Sequence, residues 1–147
     1  GNPDAIAFPH AKIAGAEFDF SFSGVKSAVL NYLNQCEMKG QEIVQADVAA
    51  SFQKAVVDVL VERAVAAAKK LGEKRIAVAG GVAANTSLRE RMQEECKKEG
   101  ITLYYPSPVF CTDNAAMIAV QGYYGYIAGK RSGWDLNAVP NLKIGCN

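Results

Sequence analysis

Three short stretches of this chain hold residue types that could do chemistry at a cleft. Asp113 ends the run Cys111-Thr112-Asp113, just before the apolar, alanine-rich segment Ala115-Ala116-Met117-Ile118-Ala119. An acidic residue where a loop becomes a helix is either the helix cap or a carboxylate presented to a cleft as a base or metal ligand. Thr112 offers an alternative cap, which would leave Asp113 for the second role. Gly80-Gly81 follows the apolar run 75–79. Without side chains, that turn lets a ring or a phosphate lie directly against backbone; a plain tight turn accounts for the pair as well. Asn85 comes one turn later. Its amide both donates and accepts, which suits a ribose, a base edge or an acyl group, and it could equally start the next helix. The third stretch is Phe22-Ser23-Gly24. All three have one form: strand, small-residue turn, helix. In open α/β sheets ligands gather at the carboxyl ends of strands. Helix N-termini there offer free N–H groups to anions.

The elements that must position these junctions follow from periodicity. Phe18-Asp19-Phe20-Ser21-Phe22-Ser23 alternates apolar and polar, which predicts a half-buried strand with the phenylalanines on one face. Val25, Ala28, Val29, Tyr32, Leu33 and Cys36 then recur at helical spacing, with Ser23 as cap and Gly40 as stop. A second, longer helical pattern runs from Val44 through Val48, Phe52, Ala55, Val56, Val59 and Leu60 to Lys69-Lys70-Leu71-Gly72. The run 75–79 predicts a strand buried on both faces. Leu88, Met92 and Cys96 mark the inner stripe of a third helix that Asn85 or Ser87 starts and Gly100 ends; Ser87 to Glu90 fits a capping box. A strand over 101–105, broken by Pro106 and Pro108, precedes a last helix over about 114–128. The stretch from Trp134 to Asn147 reads as a tail packed across the surface. Alternating strands and helices predict an α/β layered domain with a mixed sheet and flanking helices.

Composition narrows the function classes. The chain has 147 residues, half of them hydrophobic, and a net charge of +1, which bounds it to one domain of ordinary globular make-up. That charge marks no strong field for nucleic acid, although the basic doublets at Lys69-Lys70, Lys74-Arg75, Lys97-Lys98 and Lys130-Arg131 leave room for a local patch. Three of the doublets fall near helix C-termini, where the dipole explains them. Cys36, Cys96, Cys111 and Cys146 are widely spaced without a C-x-x-C pair, and read as buried thiols of a reducing compartment. His10 is the single histidine, so the chain cannot by itself complete a transition-metal site of three or four protein ligands. There is no P-loop, no Gly-x-Ser-x-Gly elbow and no H-E-x-x-H. No apolar run approaches the ~20 residues of a membrane span.

Three long motifs occur in order: Phe18-Asp19-Phe20-Ser21-Phe22-Ser23-Gly24-Val25-Lys26, then Val78-Ala79-Gly80-Gly81-Val82-Ala83-Ala84-Asn85-Thr86-Ser87-Leu88-Arg89, then Pro106 through Cys111-Thr112-Asp113-Asn114 to Ala119. Together they resemble the tRNA N6-adenosine threonylcarbamoyltransferase family, known earlier as O-sialoglycoprotein endopeptidase or glycoprotease. The resemblance covers essentially the whole chain but only the C-terminal part of the family's usual length. It implies an actin-like or sugar-kinase-like fold of two lobes around a nucleotide cleft. Residues 1–147 would form a single domain, most of the second lobe, with the N-terminal lobe missing. Gly80 and Gly81 would lie beside the adenosine, Asn85 would bind substrate, and Asp113 would bind a divalent metal, iron or zinc. The other two metal ligands would be histidines of an H-x-x-x-H motif outside this sequence; no residue here is assigned as general base.

The implied reaction is acyl transfer. The N6 amine of the adenosine 3′ of the anticodon attacks the carbonyl of threonylcarbamoyl-AMP and AMP leaves, in tRNAs that read codons beginning with A. The implied partners are tRNA with a paralogous subunit and a small ATPase in bacteria, or a kinase-containing complex in archaea and eukaryotes, all in the cytoplasm and without a membrane. This chain alone is expected to be inactive, to hold metal weakly or not at all, and to self-associate through its uncovered cleft face. Competing readings are an actin-like kinase or ATPase lobe, a metallopeptidase, and a non-catalytic paralogue. The Cys111-Thr112-Asp113-Asn114 motif does not belong to the first, nothing supplies a peptidase ligand set for the second, and Asn85 with Asp113 argues against the third.

Overall fold

The computed structural model describes residues 1–10 and 17–141; residues 11–16 and 142–147, the latter with Cys146, lie outside the described residues. The element order is α1 (Ser23–Lys39), α2 (Gln45–Leu71), β1 (Arg75–Ala77), α3 (Thr86–Lys98), β2 (Thr102–Tyr104) and α4 (Ala115–Ile127). The chain divides into two compact units, Gly1–Thr112 and Asp113–Asn147.

In the first unit α2 is the central element because its apolar residues form two stripes. Val57, Val61, Val65 and Ala68 pack with Leu88, Met92 and Cys96 of α3 and with Ile101, against the half-buried Ile76 and Leu103 of the strands. Val48, Ala55 and Val59 pack with Val25 of α1 and with Phe8. The sequence reading found the second stripe and missed the first, since a helix between two layers carries apolar residues on both sides. Gly72 ends α2 in the left-handed conformation and accounts for the sharp stop after Lys69-Lys70-Leu71. Buried Ser51 ties the N-terminal stretch down: its hydroxyl donates to the Asn2 carbonyl at 3.3 Å and accepts from the Ile6 N–H at 3.2 Å.

β1, α3 and β2 form a parallel β-α-β crossover, with Arg75 opposite Thr102, Ile76 opposite Leu103 and Ala77 opposite Tyr104. The mixed sheet expected from sequence is, among the described residues, this single parallel pair. Nor is β1 buried on both faces. Ile76 is half-buried against the helices, while Arg75 and Ala77 are exposed, because α2 and α3 cover only one face of the pair.

The strand expected over 18–23 is replaced by an isolated bridge at Phe20. α1 winds directly out of this stretch: Lys26 N–H bonds to the Phe22 carbonyl, so the last residues are drawn into the helix. Phe20 stays exposed, its ring 5.1 Å from that of Phe22. Ser23 is accordingly the first helical residue rather than the cap, and Phe22 precedes it without a side-chain capping bond.

The second unit consists of Asp113, α4 and the residues beyond it. No residue of α4 is buried. Trp134, Leu136 and Val139 are exposed too, so the described part of the tail is not packed down as its apolar residues suggested. Among the described residues no helix is long and apolar enough to cross a membrane.

Candidate functional site

After β1 the chain reaches Gly80, whose φ of +88° and ψ of 171° belong to a region essentially reserved for glycine. A 3-10 turn, Gly81–Ala84, follows. Its backbone closes through Ala83 N–H to the Gly80 carbonyl and Asn85 N–H to the Val82 carbonyl, both at 3.0 Å, and buried Ala83 anchors it.

Asn85 is the N-cap of α3. Its Oδ1 accepts from the Leu88 N–H at 2.9 Å, and its Nδ2 donates to Gln53 Oε1 on α2 at 3.0 Å. Ser87 is already inside the helix, so the expected Ser87–Glu90 capping box is not the start signal. A carboxamide carries two N–H donors and two acceptor lone pairs. The cap and the Gln53 bond engage one of each, so capping and ligand contact are compatible at this residue.

Arg89, one turn into α3, reaches back across the junction. Its Nε donates to the Ala83 carbonyl in the turn. Its Nη2 donates to the Pro106 carbonyl at 3.0 Å and lies 3.1 Å from Cys111 Sγ. The guanidinium also lies 4.5 Å from the centre of the Tyr105 ring, within cation–π range. The Gly80–Asn85 turn and the 105–111 loop are thereby held together. A Cβ built on Gly81 would sit 3.7 Å from Thr112 Cγ2, so the Gly80-Gly81 junction meets Thr112 of the Cys111-Thr112-Asp113 stretch. The Phe22-Ser23-Gly24 stretch does not join them; Phe22 packs into the α1–α2 core instead.

Asp113 opens the second unit and is exposed. The cap of α4 is Asn114, whose Oδ1 accepts from the Met117 N–H at 3.0 Å. The two candidates for that cap, Thr112 and Asp113, are therefore both superseded, and the Asp113 carboxylate is not spent on capping. Among the described residues no group of three His, Cys, Asp or Glu side chains could hold a metal ion. One carboxylate does not fit a transition-metal site on its own.

Cys36, Cys96 and Cys111 are buried free thiols. Burial, and then the neighbouring Glu95 carboxylate, push the Cys96 thiol above its ordinary value, as befits a core residue rather than a ligand. Two of the basic doublets are engaged in ion pairs: Lys69 with Glu99 and Lys98 with Glu95, each at 2.7 Å. A cavity of about 760 Å³ opens beside the carboxyl ends of the strands, lined by Ala79, Gln93, Lys97, Tyr104 and Pro106 among others. Gly80, Gly81 and Asn85 do not line it.

Sequence reasoning missed Arg89 and Gln53. Arg89 stood in a quoted motif, and its place four residues after the cap was the available signal. Gln53 lies on a helix face that periodicity marks only as polar.

The family model described as tRNA N6-adenosine threonylcarbamoyltransferase, TsaD, matches residues 1–120. The chain belongs to this family. Proteins of the same name are similar to nearly all of it. That of Clostridium botulinum strain 657 is 59% identical over 145 residues, covering 99% of this chain and 43% of the relative. Those of Clostridium beijerinckii and Clostridium perfringens strain SM101 are 56% and 55% identical with the same coverage. The chain thus spans under half the length of these threonylcarbamoyltransferase relatives. The family match takes in Gly80, Gly81, Asn85, Arg89 and Asp113.

Proposed function

We propose that this chain is the second-lobe part of a two-lobed, actin-like transferase of the cytoplasm. The complete protein would move the threonylcarbamoyl group from threonylcarbamoyl-AMP to N6 of the adenosine 3′ of the anticodon, in tRNAs that read codons beginning with A. The observation that carries this reading is the meeting of the Gly80–Asn85 turn with Thr112, within a span that matches the family throughout. In this reading the turn receives the adenosine. Glycine at 80 and 81 lets the ligand approach backbone closely, and Asn85 offers its second N–H and its second lone pair to ribose or base. The amine of the tRNA adenosine forms the new C–N bond, the bond from the carbonyl carbon to the AMP phosphate oxygen breaks, and the amine proton is lost. Holding the two reactants in register is what these residues contribute.

Asp113 would supply one ligand to a divalent ion, iron or zinc, whose remaining protein ligands lie outside this chain; the ion would polarise oxygen atoms of the acyl-adenylate. tRNA, a paralogous subunit and a small ATPase, or a kinase-containing complex, are partners of the complete protein in the same proposal.

The test uses the full-length protein that contains this segment. Threonylcarbamoyladenosine formation in tRNA is expected from wild type, with Asp113→Asn abolishing turnover and metal content. Asn85→Ser should keep the cap, losing only the exposed bond to Gln53, and so keep most of the stability while weakening AMP binding. This chain alone is expected to give no product. Equal metal content and turnover in wild type and Asp113→Asn would return Asp113 to an ordinary surface residue, and a full-length wild type without product would overturn the reading.

A further inference from the structure

We propose that Arg89 is the positioning residue of this site, setting the Gly80–Asn85 turn against the 105–111 loop so that the turn holds its adenosine in one place. The proposal rests on the reading above that this turn receives a nucleotide. The turn has little of its own to fix it. Two of its residues are glycines, Val82 is exposed, and only Ala83 is anchored in the interior. Its two internal hydrogen bonds hold its shape but not its place relative to the loop.

Arg89 supplies that relation. It is tied to the turn on one side through the Ala83 carbonyl. On the other it meets the loop three times, at the Pro106 carbonyl, the Cys111 sulfur and the Tyr105 ring. Its own backbone is fixed by the N–H to the Asn85 carbonyl at 3.1 Å, so it moves with the capping residue. A guanidinium is suited to this because its donors form a rigid planar fork and its face stacks on an aromatic ring. An ammonium is a point charge with neither property. Its Nε and Nη2 donors go to carbonyls and sulfur, so the role assigned to Arg89 is exerted through the turn.

Arg89→Lys and Arg89→Met in the full-length protein test this, with AMP as the binding probe. Arg89→Lys should raise the KM for threonylcarbamoyl-AMP and the Kd for AMP by roughly tenfold to a hundredfold, the penalty of misplacing a binding group by about an ångström. Turnover at saturation should fall less than that. Hydrogen exchange should rise together at the amides of 81–85 and 105–111, and AMP should restore protection in wild type more than in Arg89→Lys. A residue that only holds the fold together would lower melting temperature while leaving KM and Kd unchanged for the folded protein, and that result overturns the proposal. If Arg89→Met does not fold, Arg89→Lys with the exchange measurement decides the matter. A wild type that makes product while the Lys variant keeps wild-type KM removes Arg89 alone. A wild type that neither binds AMP nor makes product removes the transferase reading, and the Arg89 proposal with it.

Discussion

At the scale of single residues, Gly80 and Gly81 look alike in sequence and differ in what they require. Gly80 has φ +88° and ψ 171°, and Gly81 has an ordinary negative-φ conformation with open space where a Cβ would go, apart from Thr112 at 3.7 Å. Gly80→Ala should cost about 1–3 kcal/mol, the range for forcing a side chain into that backbone region. Gly81→Ala should stay within about 1 kcal/mol, since 3.7 Å is ordinary contact and the unfolded chain becomes stiffer. Urea denaturation of the two variants checks this; equal losses at both positions would show that the turn, not the backbone conformation, sets the cost. The sequence pair Gly80-Gly81 was legible as a turn. Which of the two glycines is obligatory was not, because φ depends on how the turn closes onto α3.

At the scale of elements, α2 and α3 are joined across their polar faces as well as in the core. Arg91 on α3 lies 3.5 Å from Asp58 on α2 and also pairs with Glu95, which takes a second cation from Lys98. The hydrogen bond from Lys98, and then that from Arg91, hold the Glu95 carboxyl below its ordinary value near 4.5. Glu95 therefore loses its proton more readily in the folded chain than in the unfolded one. Its stabilising contribution is present above the ordinary glutamate value and is lost as pH falls through the lowered folded value. Glu95→Gln should flatten the acid limb of stability between neutral pH and about pH 3. The same acid limb in both proteins, measured by thermal unfolding across that range, would place the acid sensitivity elsewhere.

Periodicity located the four α-helices of the described residues to within a residue or two, since Leu88, Met92 and Cys96, or Val48, Ala55 and Val59, can share a face only in a helix. It failed at 18–23. Strict alternation says which side chains would share a face, but not whether a neighbouring strand exists to pair with. It also failed at the caps: Asn114 won over Thr112 and Asp113 by one residue of register, which depends on where the loop delivers the chain.

At the scale of the whole molecule, the chain leaves a large amount of apolar surface in water. α4 exposes Met117, Ile118, Val120, Tyr123, Tyr124, Tyr126 and Ile127, and Trp134 is fully exposed beyond it. A helix apolar on every side is ordinarily a buried one, and contiguous exposed patches of this kind promote association. This chain by itself should self-associate as concentration rises. Sedimentation velocity over a hundredfold concentration range measures it, and a clean monomer throughout would count against the expectation.

The two stripes of α2 have a consequence for how the first unit comes apart. The helix has 27 residues, about 40 Å at its usual rise, and each core uses it as a wall. Neither core can open without stripping apolar cover from the other, because the Val59 side and the Val61 side are carried by the same few turns of backbone. Two clusters that could have been separate islands of order are thereby fused into one cooperative unit, which is gained or lost in a single step. The turn at Gly80 and the clamp at Arg89 hang on that unit and inherit its stability.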